Sequence, residues 1–330
     1  MRRRPALLLV AVCLPALVLS ACGKDTSSAT PTGSTSGTSS SAPSPTSSWS
    51  GDLPTVDGAF GKESTITVPK GSAPGDLQVK VLKQGDGATI AKGDLLVVDY
   101  TGVIWDSGNV FDSSFKHGGP VGFPIGVGQV IPGWDHALVG QKVGSRVLMV
   151  LPPSEGYGAT GSSQAGIKGT DTLVFAVDVL GAHSGDETAS GKATPPGDDG
   201  VPGVTVTPGK PTITIPPGKP PNKMIVYPVV TGDGPKIKKG DTIVAQYVGV
   251  VWKSGKQFDA SWDRSTPISL TVGTGQVMKG WDQGLIGQTV GSRVVLVLPP
   301  KDAYGSKGNP PAIQPDDTIV FAVDILGAYS

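Results

Sequence analysis

Residues 133–153 read GWDHALVGQKVGSRVLMVLPP, and residues 280–300 repeat them as GWDQGLIGQTVGSRVVLVLPP. Of these 21 positions, 15 are identical. Trp281 follows Trp134 by 147 positions, and aromatic residues on both sides of this stretch recur at the same spacing until close to the C-terminus. A period this long exceeds the roughly 20 to 50 residues of solenoid repeats, so it indicates that a whole domain is duplicated.

The duplicated stretch predicts a short helix followed by a strand. Trp134 and Leu138 stand four positions apart, an acid lies in the first turn, and a glycine follows the last apolar residue. These features favour a helix of about two turns. The run RVLMVL after it, residues 146–151, is short, apolar and rich in valine, which is typical of a strand.

Further strands flank this unit in both copies. In LLVVDYTGVIW, residues 95–105, apolar and polar side chains alternate, which predicts a half-buried strand with Asp99 and Thr101 on the outer face. The segments TLVFAVDVL and TIVFAVDIL add another strand to each copy. The predicted buried faces are Leu96, Val98, Tyr100 and Ile104 in the first copy and Ile243, Ala245, Tyr247 and Val251 in the second. The fold class is therefore α+β, with two domains that each pack one short helix against an antiparallel β-sheet.

The composition of the 330 residues argues against several functions. Basic and acidic side chains balance at 27 each, so no net charge would attract nucleic acid. Histidine occurs only at positions 117, 136 and 183, and no hydrolase, metalloprotease or nucleotide-binding motif is present. We therefore expect no cofactor, no metal and no nucleic-acid partner.

The first residues predict export and anchoring. Three arginines precede an apolar run that ends in small residues, as in a signal peptide. The residues LSAC at 19–22 resemble the bacterial lipobox, in which the cysteine is lipidated and becomes the mature N-terminus. This predicts a lipid at Cys22 as the sole membrane contact and a location on the outer face of the bacterial cytoplasmic membrane. Ordinary signal cleavage is the alternative.

These patterns divide the chain into five segments. Residues 1–21 are predicted as a lipoprotein signal peptide, and residues 22–54, rich in Ser, Thr, Gly and Pro, as a disordered tether. Residues 55–183 and 211–330 are predicted as the two domains, with a Pro/Gly-rich linker at 184–210 whose later part could form a first edge strand. The chain is expected to be a monomer with two consecutive domains joined by the linker. Whether the two domains contact each other is left open.

Taken in order, DYTGVIWDSGNVFDSS, PVGFPIGVGQVIPGWDHAL, VGSRVLMVLPPSEGYG and DTLVFAVDVL resemble the FK506-binding protein (FKBP) family of peptidyl-prolyl cis-trans isomerases, as do the matching segments of the second copy. The resemblance spans nearly all of both domains. It implies in each a twisted antiparallel sheet wrapped around the short helix, with the active pocket between them. It also implies X-Pro-containing polypeptides as substrates and macrolides of the FK506/rapamycin class as ligands.

The same resemblance assigns the pocket residues. The catalytic positions would be Asp112 and Tyr157 in the first domain and Asp259 and Tyr304 in the second. The tryptophan would form the pocket floor, and the backbone N–H of Ile131 or Met278 would bond a substrate carbonyl. The substrate-binding residues would be Tyr100, Phe111, Phe123, Val130, Ile131, Trp134 and Phe175 in the first domain, and Tyr247, Phe258, Leu270, Val277, Met278, Trp281 and Phe321 in the second.

Residue chemistry alone leaves other roles open. Aromatic residues on strands commonly belong to the core, and an acid at a strand end commonly caps a turn. The proposed reaction nevertheless suits such a pocket, because rotating an X-Pro amide requires neither a nucleophile nor a proton transfer. The sequence predicts a foldase for exported proteins. The alternatives are a non-catalytic chaperone or scaffold that holds proline segments, or one active domain beside one that only binds.

Overall fold

The computed structural model describes residues 49–195, 197 and 200–330. These residues belong to one compact unit, Pro45–Ser330. The predicted signal peptide, Cys22 and most of the predicted tether lie outside the described residues. Within the described part of the chain, no helix is long and apolar enough to cross a membrane.

The first domain is a six-stranded antiparallel sheet with one helix and a two-stranded ribbon before it. Its elements are β1 (Thr55–Asp57), β2 (Thr65–Thr67), β3 (Gln78–Lys83), β4 (Leu95–Ile104), β5 (Val110–Ser113), β6 (Val121–Pro124), α1 (Pro132–Leu138), β7 (Arg146–Leu151) and β8 (Leu173–His183). The sheet order is β3-β7-β8-β4-β5, and β6 pairs with the first half of β4. The long strands β4 and β8 therefore form the centre of the sheet.

The second domain repeats this topology. Its elements are β9 (Lys192–Ala193), β10 (Gly203–Val204), β11 (Ile213–Thr214), β12 (Ile225–Thr231), β13 (Thr242–Val251), β14 (Gln257–Ala260), β15 (Ile268–Thr271), α2 (Lys279–Gly284), β16 (Arg293–Leu298) and β17 (Ile319–Tyr329). The sheet order is β14-β13-β17-β16-β12-β9, with β15 paired to β13. The predicted α+β class, with one short helix in each domain, is confirmed.

The inner face of each sheet packs against its helix, as the alternation of side chains predicts. The four residues expected on the buried face of β4, and the four expected on β13, all lie in or against these cores. The helix approaches the sheet closely because its second residue is glycine. A Cβ at Gly133 would lie 2.6 Å from the side chain of Leu151, and Gly280 meets Leu298 in the same way. The duplicated GW and VLPP motifs are thus the two sides of one contact.

The outer faces of the sheets are buried too, so the prediction that β4 is half-buried is wrong. Asp99 and Thr101 are 3% and 1% exposed. The cover is the segment that precedes each sheet, which we call the arm: residues 49–77 in the first domain and 201–224 in the second. Apolar arm residues such as Ile66 pack against the outer face of the first sheet, and Ile213 does so in the second. Burying each such side chain contributes about 1.5–3 kcal/mol.

A buried arginine fixes each arm to its sheet. Arg146 forms a two-bond ion pair with Asp178, at 2.6 and 2.7 Å, and also donates to the carbonyls of Gly58 and Ala59 in the arm. Arg293 and Asp324 repeat this pair at 2.6 and 2.7 Å. The arms also cover a tryptophan at the end of β4 and of β13, whose indole N–H donates to an arm carbonyl.

The residues predicted as linker contact the second domain. Strand β9 pairs with β12, and the backbone N–H of Ala189 donates to Asp324 at 2.9 Å. Further along, β10 pairs with β11 within the second arm. The later part of this segment was expected to form an edge strand of the sheet. In the structure the edge strand is β9, in the earlier part, whereas the later part contributes β10 to the ribbon of the arm. The domain boundaries stay predictions.

The two domains also contact each other, through equivalent positions of the two repeats. A Cβ at Gly122 would lie 2.5 Å from Ser269, the residue 147 positions later. His183 and Tyr329, equivalent ends of β8 and β17, meet through a 2.6 Å hydrogen bond. Val97 and its equivalent Val244 share one buried apolar cluster. Contacts between like surfaces are typical of a two-fold-symmetric, isologous interface, formed here within a single chain.

Candidate active site

The aromatic residues predicted for the pocket form a cage between helix and sheet. In the second domain, the Trp281 ring lies 5.3 Å from Phe321 and 5.5 Å from Tyr247, both nearly perpendicular, and Phe258 packs edge-on against Phe321 at 5.6 Å. In the first domain the corresponding distances are 5.3, 5.3 and 5.5 Å. Each edge-to-face pair contributes about 0.5–1.5 kcal/mol beyond its buried area, so the cage is stiff.

A glycine on the central strand makes room for this cage. A Cβ at Gly249 would lie 2.6 Å from the Phe258 ring and 2.8 Å from the Phe321 ring. Gly102 lies at the same place in the first domain, against Phe111 and Phe175. The glycine of the DYTG and QYVG motifs therefore shapes the pocket wall by close packing.

In the second domain the cage encloses a cavity of about 150 Å³. All nine predicted site residues of that domain line it. Ile268 lines it as well, although it was not among the predicted site residues. This volume is below the roughly 300–1,000 Å³ usual for pockets that enclose a whole drug-sized ligand, and it is enough to receive a single small ring.

A larger cavity of about 670 Å³ lies elsewhere in the second domain, between the arm and the turn after β13. Its lining combines Lys219 and Lys253 with Asp316 and Asp317, and it includes none of the predicted site residues. The smaller cavity is lined mainly by aromatic and aliphatic side chains, as the predicted reaction favours, whereas the larger one has a mixed, partly charged lining.

An acid and a tyrosine are joined at the rim of each cage. The hydroxyl of Tyr247 donates to Asp259, and that of Tyr100 donates to Asp112. Burial and the bond to Asp259 raise the pKa of Tyr247 to about 12, and the same causes raise the pKa of Tyr100 well above its ordinary value. Both hydroxyls therefore remain protonated donors at neutral pH.

The rim acids are ionised in turn. Partial burial favours their neutral form, but hydrogen bonds outweigh it and lower the pKa of Asp112, with bonds from Tyr100, His117 and the backbone N–H of Ser113. The pKa of Asp259 is lowered in the same way by its bonds to Tyr247 and to an arginine. Each cage thus carries one compensated negative charge at its rim.

The basic residues that contact the rim acids were not among the predicted site residues. Arg264 donates to Asp259 at 2.6 Å and to the hydroxyl of Tyr247 at 2.9 Å. In the first domain His117 occupies the equivalent position, with Nε2 2.7 Å from Asp112. The available signal was the repeat itself, because positions 117 and 264 are 147 apart and both carry a basic residue.

A second missed role belongs to the acid of the helix. Asp282 accepts backbone N–H bonds from Gly273 at 2.9 Å and Gly275 at 2.6 Å, and Asp135 does the same for the matching loop of the first domain. Both loop glycines have positive φ angles, at 78° and 75°. The sequence predicted only that this acid favours the helix start. In the structure it also fixes the loop that presents Val277 to the cavity.

The predicted substrate-binding backbone group is available for a ligand. Met278 directly precedes helix α2, and its N–H has no hydrogen-bond partner among the described residues. The indole N–H groups of Trp134 and Trp281 are buried and also lack partners within the described chain. The pocket therefore keeps two kinds of unpaired donor near its floor.

The pocket tyrosines of the loop after β7 and β16 are partly exposed. Tyr157 and Tyr304 are 39% and 37% exposed, and Tyr304 lines the second cavity. Desolvation and the nearby rim acid raise the pKa of both hydroxyls, so they too are protonated donors. A donor that is half in solvent and half over the cavity can bond a peptide as it enters.

A short helix packed on an antiparallel sheet, with an aromatic pocket between them, is the FKBP-like domain that the sequence predicts. The family model for FKBP-type peptidyl-prolyl cis-trans isomerases matches residues 87–180 and 234–326. The chain belongs to this family and carries two of its domains, which confirms the predicted family and class of enzyme.

Individual relatives match one domain or both. The FK506-binding protein of Streptomyces anulatus is 42% identical over 107 residues, which cover 32% of this chain and 86% of that protein. Mouse peptidyl-prolyl cis-trans isomerase FKBP9 is 28% identical over 254 residues, or 77% of this chain and 38% of that protein. The crystal structure of the three FKBP domains of wheat FKBP73 aligns with 77% of this chain and 95% of that chain, at 19% identity and a TM-score of 0.34. The chain thus spans less than half the length of some relatives.

Proposed function

We propose that this protein isomerises X-Pro bonds in exported polypeptides and that both pockets take part. The observation that carries the proposal is the cavity of the second domain, which brings all nine predicted residues of that domain around one aromatic space. Its uncharged walls and single compensated acid suit a reaction without proton transfer.

The chemistry follows from the properties of the prolyl amide. Rotation crosses a barrier of about 18–20 kcal/mol because it breaks amide resonance, and uncatalysed exchange takes about tens to hundreds of seconds. The twisted amide is less polar than the planar one, so an aromatic cavity that excludes water favours it. The proline ring would rest on Trp281, while the N–H of Met278 and the hydroxyl of Tyr304 hold the flanking carbonyls.

The proposed location is the outer face of the bacterial cytoplasmic membrane. It rests on the N-terminal sequence alone: a basic start, an apolar run and the lipobox-like residues that end at Cys22. A chain anchored there would meet polypeptides as they emerge from export. Incorporation of labelled palmitate that is lost in Cys22→Ala tests the anchor, and incorporation that persists in this variant would contradict it.

One observation favours the alternative of an active domain beside a binding domain. Phe123 of the first domain packs against the floor at Trp134, with the ring centroids 5.2 Å apart. The equivalent residue of the second domain is Leu270, which lines the cavity. The first cage thus has an additional aromatic side chain against its floor, and this difference between the two pockets favours unequal activity of the two domains.

A protease-free isomerisation assay on the full chain separates these functions. Exchange of a short X-Pro peptide is followed by NMR for the wild type, Asp112→Ala, Asp259→Ala and the double variant. Removing a charged hydrogen-bond partner of a pocket tyrosine costs about 1.5–3 kcal/mol, or roughly 10- to 150-fold at that site. Two active pockets predict that each single variant keeps part of the activity and that the double variant loses most of it.

The outcomes discriminate between the candidates. If only Asp259→Ala lowers the rate, the first domain binds without turnover. If the wild type does not accelerate exchange at all but still binds proline peptides, the isomerase function is wrong and the chaperone or scaffold function replaces it.

A further inference from the structure

The two cages share a tryptophan, a tyrosine and two phenylalanines at similar ring distances, but they differ in the basic residue that holds the rim acid. In the second domain, Arg264 bridges Asp259 and Tyr247 with two N–H donors. In the first domain, His117 makes a single contact to Asp112. Both cations are about half exposed, at 50% for the arginine side chain and 56% for the histidine.

These two cations respond differently to pH. A guanidinium stays charged throughout the physiological range. An ordinary imidazole changes charge near pH 6.5, which makes histidine the usual pH-dependent side chain. The carboxylate of Asp112 remains ionised across that range, because its pKa is lowered despite partial burial. In a pair of a histidine with an ionised carboxylate, the imidazole is therefore the group that ordinarily responds to pH near neutrality.

We propose that His117 is a positioning residue that makes the first pocket pH-dependent, whereas Arg264 at the equivalent position keeps the second pocket independent of pH. This rests on the proposed isomerase function. His117 acts through Asp112, whose second oxygen accepts the hydroxyl of Tyr100. The Tyr100 ring in turn packs edge-on against the pocket floor, 5.3 Å from Trp134.

The direction follows from the comparison of the two domains. With a charged imidazole, the first rim matches the permanently charged rim of the second domain. As pH rises, the imidazole becomes neutral, the ion pair loses its charge, and Asp112 and Tyr100 are held less firmly. Because exposed ion pairs contribute about 0.2–1 kcal/mol, kcat/KM of the first pocket should fall about 1.4- to fivefold between pH 5.5 and 8, mainly through KM.

Other titratable groups lie on the elements around His117. Its own short helix, Ser114–His117, adds Lys116, and the loop after β7 adds Tyr157, which interacts with Asp112. The neighbouring strand β4 adds buried Asp99, which accepts a 2.8 Å bond from Ser114 and whose pKa is raised by burial. The second domain has Gln246 in place of Asp99, so Asp99→Gln is a control that the chain itself offers.

Reciprocal exchange in the full chain tests the proposal. We would measure kcat/KM and KM on an uncharged X-Pro peptide from pH 5.5 to 8 for the wild type, His117→Arg, Arg264→His and Asp99→Gln. His117→Arg should flatten the profile, Arg264→His should steepen it, and Asp99→Gln should keep the wild-type slope. His117→Gln, a neutral variant, should give a flat profile with the higher KM in the first pocket.

Each result decides the question. The proposal is overturned if kcat/KM of His117→Arg depends on pH as steeply as that of the wild type. It is also overturned if this pH dependence disappears in Asp99→Gln. A slope gained in Arg264→His while His117→Arg changes nothing also overturns it, since the first pocket then contributes no pH dependence. A wild type without isomerase activity at any pH refutes instead the function on which the proposal rests.

Discussion

Replacement of Arg293 by methionine should release the second arm from its sheet and destabilise the second domain. Arg293 is 1% exposed and its partner Asp324 is fully buried. Methionine keeps much of the aliphatic volume but removes every N–H donor. The substitution therefore isolates the hydrogen bonds and charge of the arginine from its packing.

The structure sets the size of the effect. Arg293 makes two bonds to Asp324 and three to the arm carbonyls of Thr205, Thr207 and Gly209, at 2.7, 3.1 and 3.0 Å. Without it, Asp324 keeps only the N–H of Ala189 as a donor among the described residues. Breaking one partner of a buried ion pair costs about 3–5 kcal/mol, a large share of the roughly 5–15 kcal/mol that stabilises a domain.

Urea unfolding combined with peptide-resolved hydrogen exchange measures both parts of this prediction. The unfolding midpoint of the second domain should fall, and amides of residues 201–224 should exchange faster, while the first domain is unchanged. The double variant Arg293→Met/Asp324→Leu should regain a good part of the lost stability, because no charge is then left buried. Arg146→Met provides the matched test in the first domain. A decrease in unfolding free energy below about 1 kcal/mol, or arm amides that keep their protection from exchange, would show that Arg293 does not fix the arm to the sheet.

Three further predictions concern the pocket and the interface. Tyr304→Phe should lower kcat/KM of the second pocket about two- to tenfold through the loss of one hydrogen bond, with unfolding unchanged, and an unaltered rate would exclude the hydroxyl from substrate binding. Gly249→Ala should push Phe258 into the cavity and reduce the free energy of unfolding by about 1–3 kcal/mol. Peptide binding, measured by calorimetry, should weaken, and an affinity equal to that of the wild type would contradict the packing argument. Gly122→Val should wedge the domains apart and raise the radius of gyration in X-ray scattering, and Ser269→Gly in the same chain should reverse the increase; equal radii would mean that the interface does not form as described.

Much of the fold was predictable because its signals are local. Alternation along β4 and β13 assigned the correct residues to the inner face, and the spacing of Trp134 and Leu138 gave the helix its position and length. The long period of the repeat was enough to distinguish two domains. Resemblance then placed the nine residues of the second site, which meet around one cavity.

Some errors and omissions arise from distance along the chain, and others from local pairs whose pattern is too common to be informative. Half-burial was the wrong prediction for β4 because the covering arm lies far from it in sequence, and alternation describes only which side chains share a face. Arg293 reaches arm carbonyls 84 to 88 positions away, and no pattern near Arg293 announces them. The pairing of His117 with Asp112 spans five positions, yet a basic residue beside an exposed acid is too common to indicate a pocket.

The sequence by itself determined a duplicated α+β unit and its inner core, since these follow from periodicity and from motifs of adjacent residues. The aromatic residues of each cage were assigned by the family resemblance. The tertiary structure decided that the outer faces are covered by arms, that Asp282 holds the pocket loop, and that like surfaces of the two domains meet at Gly122 and Ser269. It also showed that His117 and Arg264 hold equivalent acids. The arm and interface contacts join segments whose proximity depends on how the sheets are connected, and short-range patterns in a chain carry no record of that geometry. The bonds of Asp282, His117 and Arg264 are local, but their residue patterns are the same as those of ordinary turn caps and surface pairs.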